Sequence, residues 1–522
     1  MSNIFFVILF LLNPSILSFK CGADSINIKP HLIDSTNDKR KLSNGYRPMK
    51  IKVDYAYLES QNLLSSTDLN SLKKIFEETT NYISLLLSVE HIDIYLNSII
   101  IEEYCTISKV SPEIINSDFD LLIFPLIDTT MDKLILASAS HCLSLKQNLM
   151  PKAGLVYLNK NLVLTKKDSS LYIKYILFHE LSHVLGFNPW IIKELNLAYT
   201  KNGLTYINSE RVLQKARQHF NCPTIEGIQL ENQGGEGSAG AHWEARYMLG
   251  DYMISTEYSE MAISDITLAF FEDTGFYKVN YYTGGLFRFG KNQGCKFFEK
   301  ECVTKNGKKT DFSNEFCTEA GLDFCSSGHL SKGACYIAKY SEILEPKFRH
   351  YSDESIGGFS AVDYCPVSYP FFDEDLNENY NYPHNCNFGE KDYFNLLEKI
   401  GKKSLCFENS LFSLYDDDED ILYNTCYEVE CNKNKKEYQV SVGNTWVNCK
   451  SGDKIVKNPK GFSGKIKCPP YNIICSSTIW CNELFECIDL KSETDIQTFG
   501  SMSFISLNKI IILLDMFLLF IQ

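Results

Sequence analysis

The residues in this chain whose types and spacing are best placed for chemistry lie in one short run, Phe178-His179-Glu180-Leu181-Ser182-His183-Val184-Leu185-Gly186-Phe187. On an α-helix, positions i and i+4 stand one turn apart on the same face. His179 and His183 can then offer both imidazoles to one tetrahedral zinc ion at about 2.0–2.1 Å. Glu180 lies beside that face, close to a metal-bound water yet free to act as a base. Zinc lowers the pKa of such a water toward about 7, so the carboxylate can take its proton and pass it to a leaving amine. The plain alternative is two histidines on an amphipathic helix. With ten histidines in the chain, a chance match to this pattern is on the order of one in a hundred.

A catalytic zinc site needs three protein ligands and an open fourth position. The histidine that one class of zinc peptidases places six residues after the second ligand is here Pro189. Among the other histidines, His242 has the most suitable surroundings, Gly237-Ser-Ala-Gly-Ala-His242-Trp-Glu-Ala-Arg. The glycines allow sharp turns and close approach to the helix. Judged on its own, a histidine beside Trp243 is more often packed than metal-bound, and both readings stand at this point.

These side chains need elements to hold them. Met49 to Tyr57 alternates like a strand, and Ser66-Thr67-Asp68 can cap a helix carrying Leu72, Ile75, Phe76, Thr79, Tyr82, Ile83 and Leu86 at helical spacing. Short β-rich runs follow at His91–Leu96, Phe119–Ile127, Lys133–Ser140 and Ala153–Lys160. A second helix is expected from about Ser169 to Leu185, capped by Asp168 or Ser169 and closed by Gly186 at the C′ position. Strand, helix, four strands, helix describes an α/β layer with a closing helix. Residues 190 to 290 read as mostly helical with Gly-rich interruptions, Gln233–Gly240 being a flexible or tightly turned loop. The acidic run Asp416–Asp420 reads as a solvated loop, since it lacks the glycine and spacing of an EF-hand.

A chain of 522 residues exceeds one ordinary core, so two or three domains are expected. The formal charge of −14 argues against nucleic acid as a partner. Nineteen cysteines point to an oxidising compartment, and fifteen of them fall between Cys295 and Cys487, so the C-terminal half should be loop-rich and stapled by disulfides. Met1–Ser18 suits a signal peptide better than a membrane span or a buried helix. Gly500, Ser501 and Ser503 followed by the apolar stretch Phe504–Ile521 have the order of a GPI attachment signal; a retained tail anchor and a terminal helix are the alternatives. The expected organisation is a signal peptide at 1–18, a propeptide at 19–45, an N-terminal catalytic subdomain at 46–190, a central subdomain at 191–290, a cysteine-rich domain at 291–499 and the tail at 500–522.

Taken together, the histidine motif, the long insertion and the segment Gly237–Arg246 resemble the leishmanolysin family of metzincin zinc peptidases. Ile135–Cys142, Ala153–Asn159, Asp251-Tyr-Met253-Ile and Ser264–Tyr281 are similar to further stretches of that family. The resemblance runs from about Lys50 to Cys302 and is loose beyond. It implies an α+β fold: a zincin catalytic domain with a twisted mixed sheet and active-site helix, a helical central part and a disulfide-rich, β- and loop-rich C-terminal domain. It also implies His242 as third ligand of one catalytic Zn2+, Met253 as an apolar floor below it, and a cleft where the strand Ala153–Asn159 pairs with an extended peptide. Family proenzymes are held inactive by a prosegment thiolate on the metal. Cys21 stands in a similar place, and setting it aside leaves eighteen cysteines for nine disulfides. A disulfide at Cys21 is the alternative.

The expected function is a zinc-dependent metalloendopeptidase acting on extracellular or surface proteins, with Glu180 as base. A location at the cell surface on a GPI anchor goes with it. An adhesin built on the cysteine-rich half and a pseudoenzyme with structural zinc are the competing readings. All the residues that the chemistry needs are present, which counts against the latter.

Overall fold

The computed structural model describes Cys21, residues 30–35 and residues 45–489, the last without 132–134, 161–169, 234–237, 257, 259–260, 282–286, 371–385, 387–390, 394–397, 402, 414–421, 433, 444, 450–451, 458–461, 476–478 and 484–485. The leader at 1–18, the cap at Asp168 or Ser169, the acidic run and the hydrophobic tail lie outside the described residues. Among the described residues no helix is long and apolar enough to cross a membrane.

Strand β1 (His31–Ile33) is followed by β2 (Arg47–Pro48), β3 (Ile51–Val53), a short helix Ala56–Gln61, the long helix α1 (Ser66–Leu86) and β4 (Leu87–Val89). Helices Ser98–Cys105 and Pro112–Ile115 lead into β5 (Leu121–Asp128), β6 (Ala137–Leu145), β7 (Pro151–Asn159) and helix α2 (Ser170–Leu185). The apolar stripe expected on α1 is buried, and its cap is Ser65, whose Oγ accepts from Asp68 N at 3.1 Å, one residue before the expected start. The run His91–Leu96 is not a strand. It makes a single bridge, from Ile94 to Ser35, before Asn97 caps the next helix through Ile100 N.

Five strands form one mixed sheet in the order β1-β6-β7-β5-β3. Strands β3, β5 and β7 run parallel, β6 is antiparallel to β7, and β1 is parallel to β6. β5 and β7 are buried almost throughout, which is why they read as continuous apolar runs and not as alternation. The Ala153–Asn159 strand therefore cannot pair with a peptide as expected, because its two edges already hydrogen-bond β5 and β6. The outer edge of β6 is the one on which β1 lies.

Helix α2 packs on this sheet through a glycine. A Cβ on Gly154 would stand 2.3 Å from Val184 Cγ1 and 3.1 Å from Ser140 O, so only a bare backbone lets the helix come this close. Phe178 of α2 also meets Tyr82 of α1, with ring centroids 5.8 Å apart. The helix ends as expected: Gly186 has φ +128°, Phe187 N donates to Ser182 O at 3.0 Å and Gly186 N to His183 O at 3.2 Å, a Schellman closure.

The following hundred residues are mixed, not mostly helical. Strands β8 (Ala198–Lys201), β9 (Leu204–Ile207) and β10 (Ile228–Gln229) make an antiparallel sheet around helix α3 (Glu210–Phe220), and helix α4 (Asp265–Asp273) leads to β11 (Tyr277–Val279), which returns to pair with β4. The β8–β9 turn is Asn202-Gly203, with φ +55° and +80°, a two-residue hairpin. One apolar core runs from Ile33 to Tyr369 and joins these layers.

A second core, with Leu405, Phe407, Tyr427, Tyr438, Val440 and Ile466, fills an antiparallel six-stranded sheet built from residues 404–468. Among the described residues eight disulfides staple the chain. Cys105–Cys142 and Cys222–Cys295 lie in the first core, and the other six link cysteines between Cys302 and Cys475. The mixed α+β architecture with a disulfide-rich C-terminal part is the class expected from the sequence, and so many disulfides fit an oxidising compartment.

Gly154→Ala should lower stability by about 1–3 kcal/mol, the usual cost of overpacking a core, with part recovered by adding Val184→Ala. Thermal unfolding of the three chains checks this, and an unchanged midpoint for the single variant would refute the close approach of helix and strand.

Candidate metal centre

Helix α2 brings His179, Glu180 and His183 to one buried place, and the loop before Trp243 brings His242 to it. His183 Nε2 lies 3.1 Å from His179 Nε2, and His179 Nε2 lies 3.2 Å from His242 Nε2. The facing imidazoles do not hydrogen-bond one another, because the opposite nitrogen of each ring is committed. His179 Nδ1 is 2.6 Å from Tyr252 O, His183 Nδ1 is 2.7 Å from Phe187 O, and His242 Nδ1 is 2.9 Å from Ser238 O. A carbonyl only accepts, so each Nδ1 carries the proton and donates, and each Nε2 presents a lone pair.

Burial keeps all three rings neutral. It pushes His179 down to about 4 and His242 to about 3, and holds His183 well below the ordinary imidazole range. Three neutral nitrogens thus aim lone pairs inward, His179 Nε2 standing 3.1 and 3.2 Å from the other two, which is repulsive with nothing between them. Ligands at 2.0–2.1 Å from one tetrahedral ion would stand about 3.3 Å apart. The donor set, its spacing and its fixed tautomers fit zinc. Each backbone acceptor also does what outer partners of metal-bound histidines do: it orients the ring and raises its basicity.

Glu180 is wholly buried beside this cluster. Desolvation pushes its carboxyl up to about 8, against a smaller lowering by Cys21. Its Oε1 accepts from Cys21 Sγ at 3.3 Å, while Oε2 is buried without a protein hydrogen-bond partner. A divalent cation beside it would favour the ionised form. Cys21 Sγ also lies 3.4 Å from His183 Nε2, and the ligand atoms of Cys21, His179, His183 and His242 all fall within 4.8 Å of one another. Cys21 is outside the eight disulfides. Met253 is fully buried in the turn that supplies Tyr252 O to His179, and its own carbonyl accepts from Trp243 N at 2.9 Å.

The residues expected from the sequence therefore come together. The carbonyl acceptors at Phe187, Ser238 and Tyr252 were not named, since a backbone oxygen carries no residue-type signal. Asn188 was also missed. Its Nδ2 donates to His183 O at 3.0 Å while its Oδ1 caps the next helix through Ile191 N. An Asn directly before Pro189, where a helix restarts, was the available clue.

The model of the family described as leishmanolysin matches residues 89–481. Leishmanolysin of Leishmania major is 27% identical over 361 residues, which cover 66% of this chain and 58% of the relative. Leishmanolysin-like peptidases of Drosophila melanogaster and Caenorhabditis briggsae are 28% and 30% identical over 304 and 221 residues, covering 51% and 38% of this chain and 43% and 33% of the relatives. The chain spans about half the length of the curated relatives it matches.

Replacing His242 by alanine should weaken zinc binding by several orders of magnitude while leaving a folded chain. Elemental analysis after dialysis against a weak chelator checks this. Equal zinc in wild type and variant would remove His242 from the ligand set.

Proposed function

The chain belongs to the leishmanolysin family, and from that premise we propose that it is a zinc-dependent endopeptidase with His179, His183 and His242 as ligands and Glu180 as general base. The observation that carries this reading is the convergence of three neutral Nε2 lone pairs next to a buried carboxylate oxygen with no protein partner. The chemistry that zinc supplies when bound is Lewis acidity, which polarises a peptide carbonyl and makes a water molecule acidic near neutral pH.

The chain's own groups do the rest. Glu180 Oε2 takes a proton from the attacking water and later returns it to the leaving amine nitrogen, so one carboxyl serves both halves of the hydrolysis. Its burial keeps its proton affinity high enough for the second transfer. The Nδ1–H bonds to Tyr252, Phe187 and Ser238 hold the imidazoles still through the cycle. Met253 forms an apolar floor in the adjoining turn. An extended substrate is best received on the outer edge of β6, the strand edge next in line once β1 is displaced.

The described state reads as latent. The Cys21 thiol lies against both His183 Nε2 and Glu180 Oε1, so with zinc on the three histidines it would exclude the reacting water and occupy the base. Thiolate is a strong zinc ligand. Removal of residues 19–45 would withdraw Cys21 and β1 together. Export under the leader at 1–18 and attachment through the tail at 500–522 complete the proposal, and the substrates are then proteins outside the cell.

Glu180→Gln should lower peptide hydrolysis by about 10²–10⁴-fold, the range for general acid–base groups, with zinc content retained. Turnover of a quenched peptide, alongside elemental analysis, tests it, and wild-type turnover by the variant would reject the assignment. Cys21→Ala should make the full-length chain active without processing. If full-length wild type and variant are equally latent, the thiol is not the block.

A further inference from the structure

Two of the three imidazoles depend on one buried carboxylate that touches neither of them. Asp251 is fully buried. Its Oδ1 accepts from Met253 N at 2.8 Å, which closes the turn that presents Tyr252 O to His179 Nδ1. Its Oδ2 accepts from Thr267 Oγ1 at 2.8 Å and from Ser264 N at 3.3 Å, at the start of α4. The same Thr267 hydroxyl accepts from Trp243 Nε1 at 2.7 Å. Trp243 follows His242 directly, and its backbone N donates to Met253 O.

Donor and acceptor roles leave little freedom in this chain of bonds. An indole N–H only donates and an ionised carboxylate only accepts, so the Thr267 proton must point at Asp251 and a lone pair at Trp243. The indole is held from the sides by Phe187 and Phe270, with centroids 5.0 and 6.5 Å away. Without the hydroxyl, a buried N–H would lose its acceptor, which the surrounding rings cannot replace.

We infer that Asp251, through Thr267, is a positioning residue of the metal centre: it fixes the carbonyl that orients His179 and the indole that seats His242. This rests on the three histidines holding zinc. Asp251→Asn keeps the shape but cannot serve both partners. If its amide oxygen accepts from Met253 N, its NH2 faces Thr267, and the hydroxyl then meets two N–H donors, its own proton left only with Ser264 Oγ, 3.2 Å away and already accepting from Thr267 N.

The test uses the full chain. Zinc affinity is measured by competition with a chromophoric chelator, and ligand geometry from the visible spectrum of the cobalt-substituted protein. Asp251→Asn and Thr267→Val should weaken zinc by about 10–100-fold, as loss of outer partners does, and shift the cobalt bands, while Thr267→Ser restores both. A purely structural role would lower the unfolding midpoint and leave affinity and bands as in wild type, and that result overturns the inference. Should either variant fail to fold, Trp243→Phe, which keeps a ring in place, reads the same link. Weaker zinc supports it and wild-type affinity overturns it. Wild-type chain that takes up no zinc overturns the metal centre itself, whereas wild type that binds while folded variants match it overturns this inference alone.

Discussion

Three hydrogen bonds from imidazole Nδ1–H to backbone carbonyls are the constraint on which the site depends. Each settles which ring nitrogen carries the proton, and so turns the other into a lone-pair donor pointing inward. The acceptors come from different elements: the end of the active helix, the loop before His242 and the turn around Met253. The site therefore exists only when all three are packed together, which makes it a readout of the whole first core.

The fold supplies that packing with few exceptions to ordinary rules. A glycine on β7 lets the active helix approach the sheet, a Schellman closure turns the chain just after His183, and Tyr277 OH donates to Leu185 O at 2.8 Å, satisfying a carbonyl at the helix end. Disulfides take over where apolar burial thins out. Of the eight among the described residues, six link cysteines from Cys302 onward, the first of them still in the large core and the rest in or towards the part whose six-stranded sheet has a much smaller core. Staples of this kind stabilise mainly by restricting the unfolded chain.

On the proposed reading, the position of Cys21 and β1 would tie latency to architecture. The thiol lies against His183 Nε2 and Glu180 Oε1, while His31–Ile33 pairs with β6 of the same sheet. One short segment thus engages both the chemistry and the edge that an extended peptide would use. Withdrawing it costs hydrogen bonds along β6 that an incoming main chain can replace.

Much of this was legible in the sequence because it is local. Residues i and i+4 on one helix, the apolar stripe from Leu72 to Leu86, the unbroken apolar run of β5 and the glycine after Leu185 each carry their signal within a few turns of chain. Asn202-Gly203 is likewise a local signal, the strongest short one for a hairpin turn such as β8–β9, within a stretch whose periodicity reads as mostly helical. What tertiary structure alone decided is whatever joins distant segments without a local signal: which carbonyls orient the three imidazoles, which cysteines pair, that β7 is interior with β6 and β5 on its two edges, and that Asp251 holds two loops at once. Pairing across many residues depends on which surfaces meet after collapse, and periodicity along the chain contains no term for that.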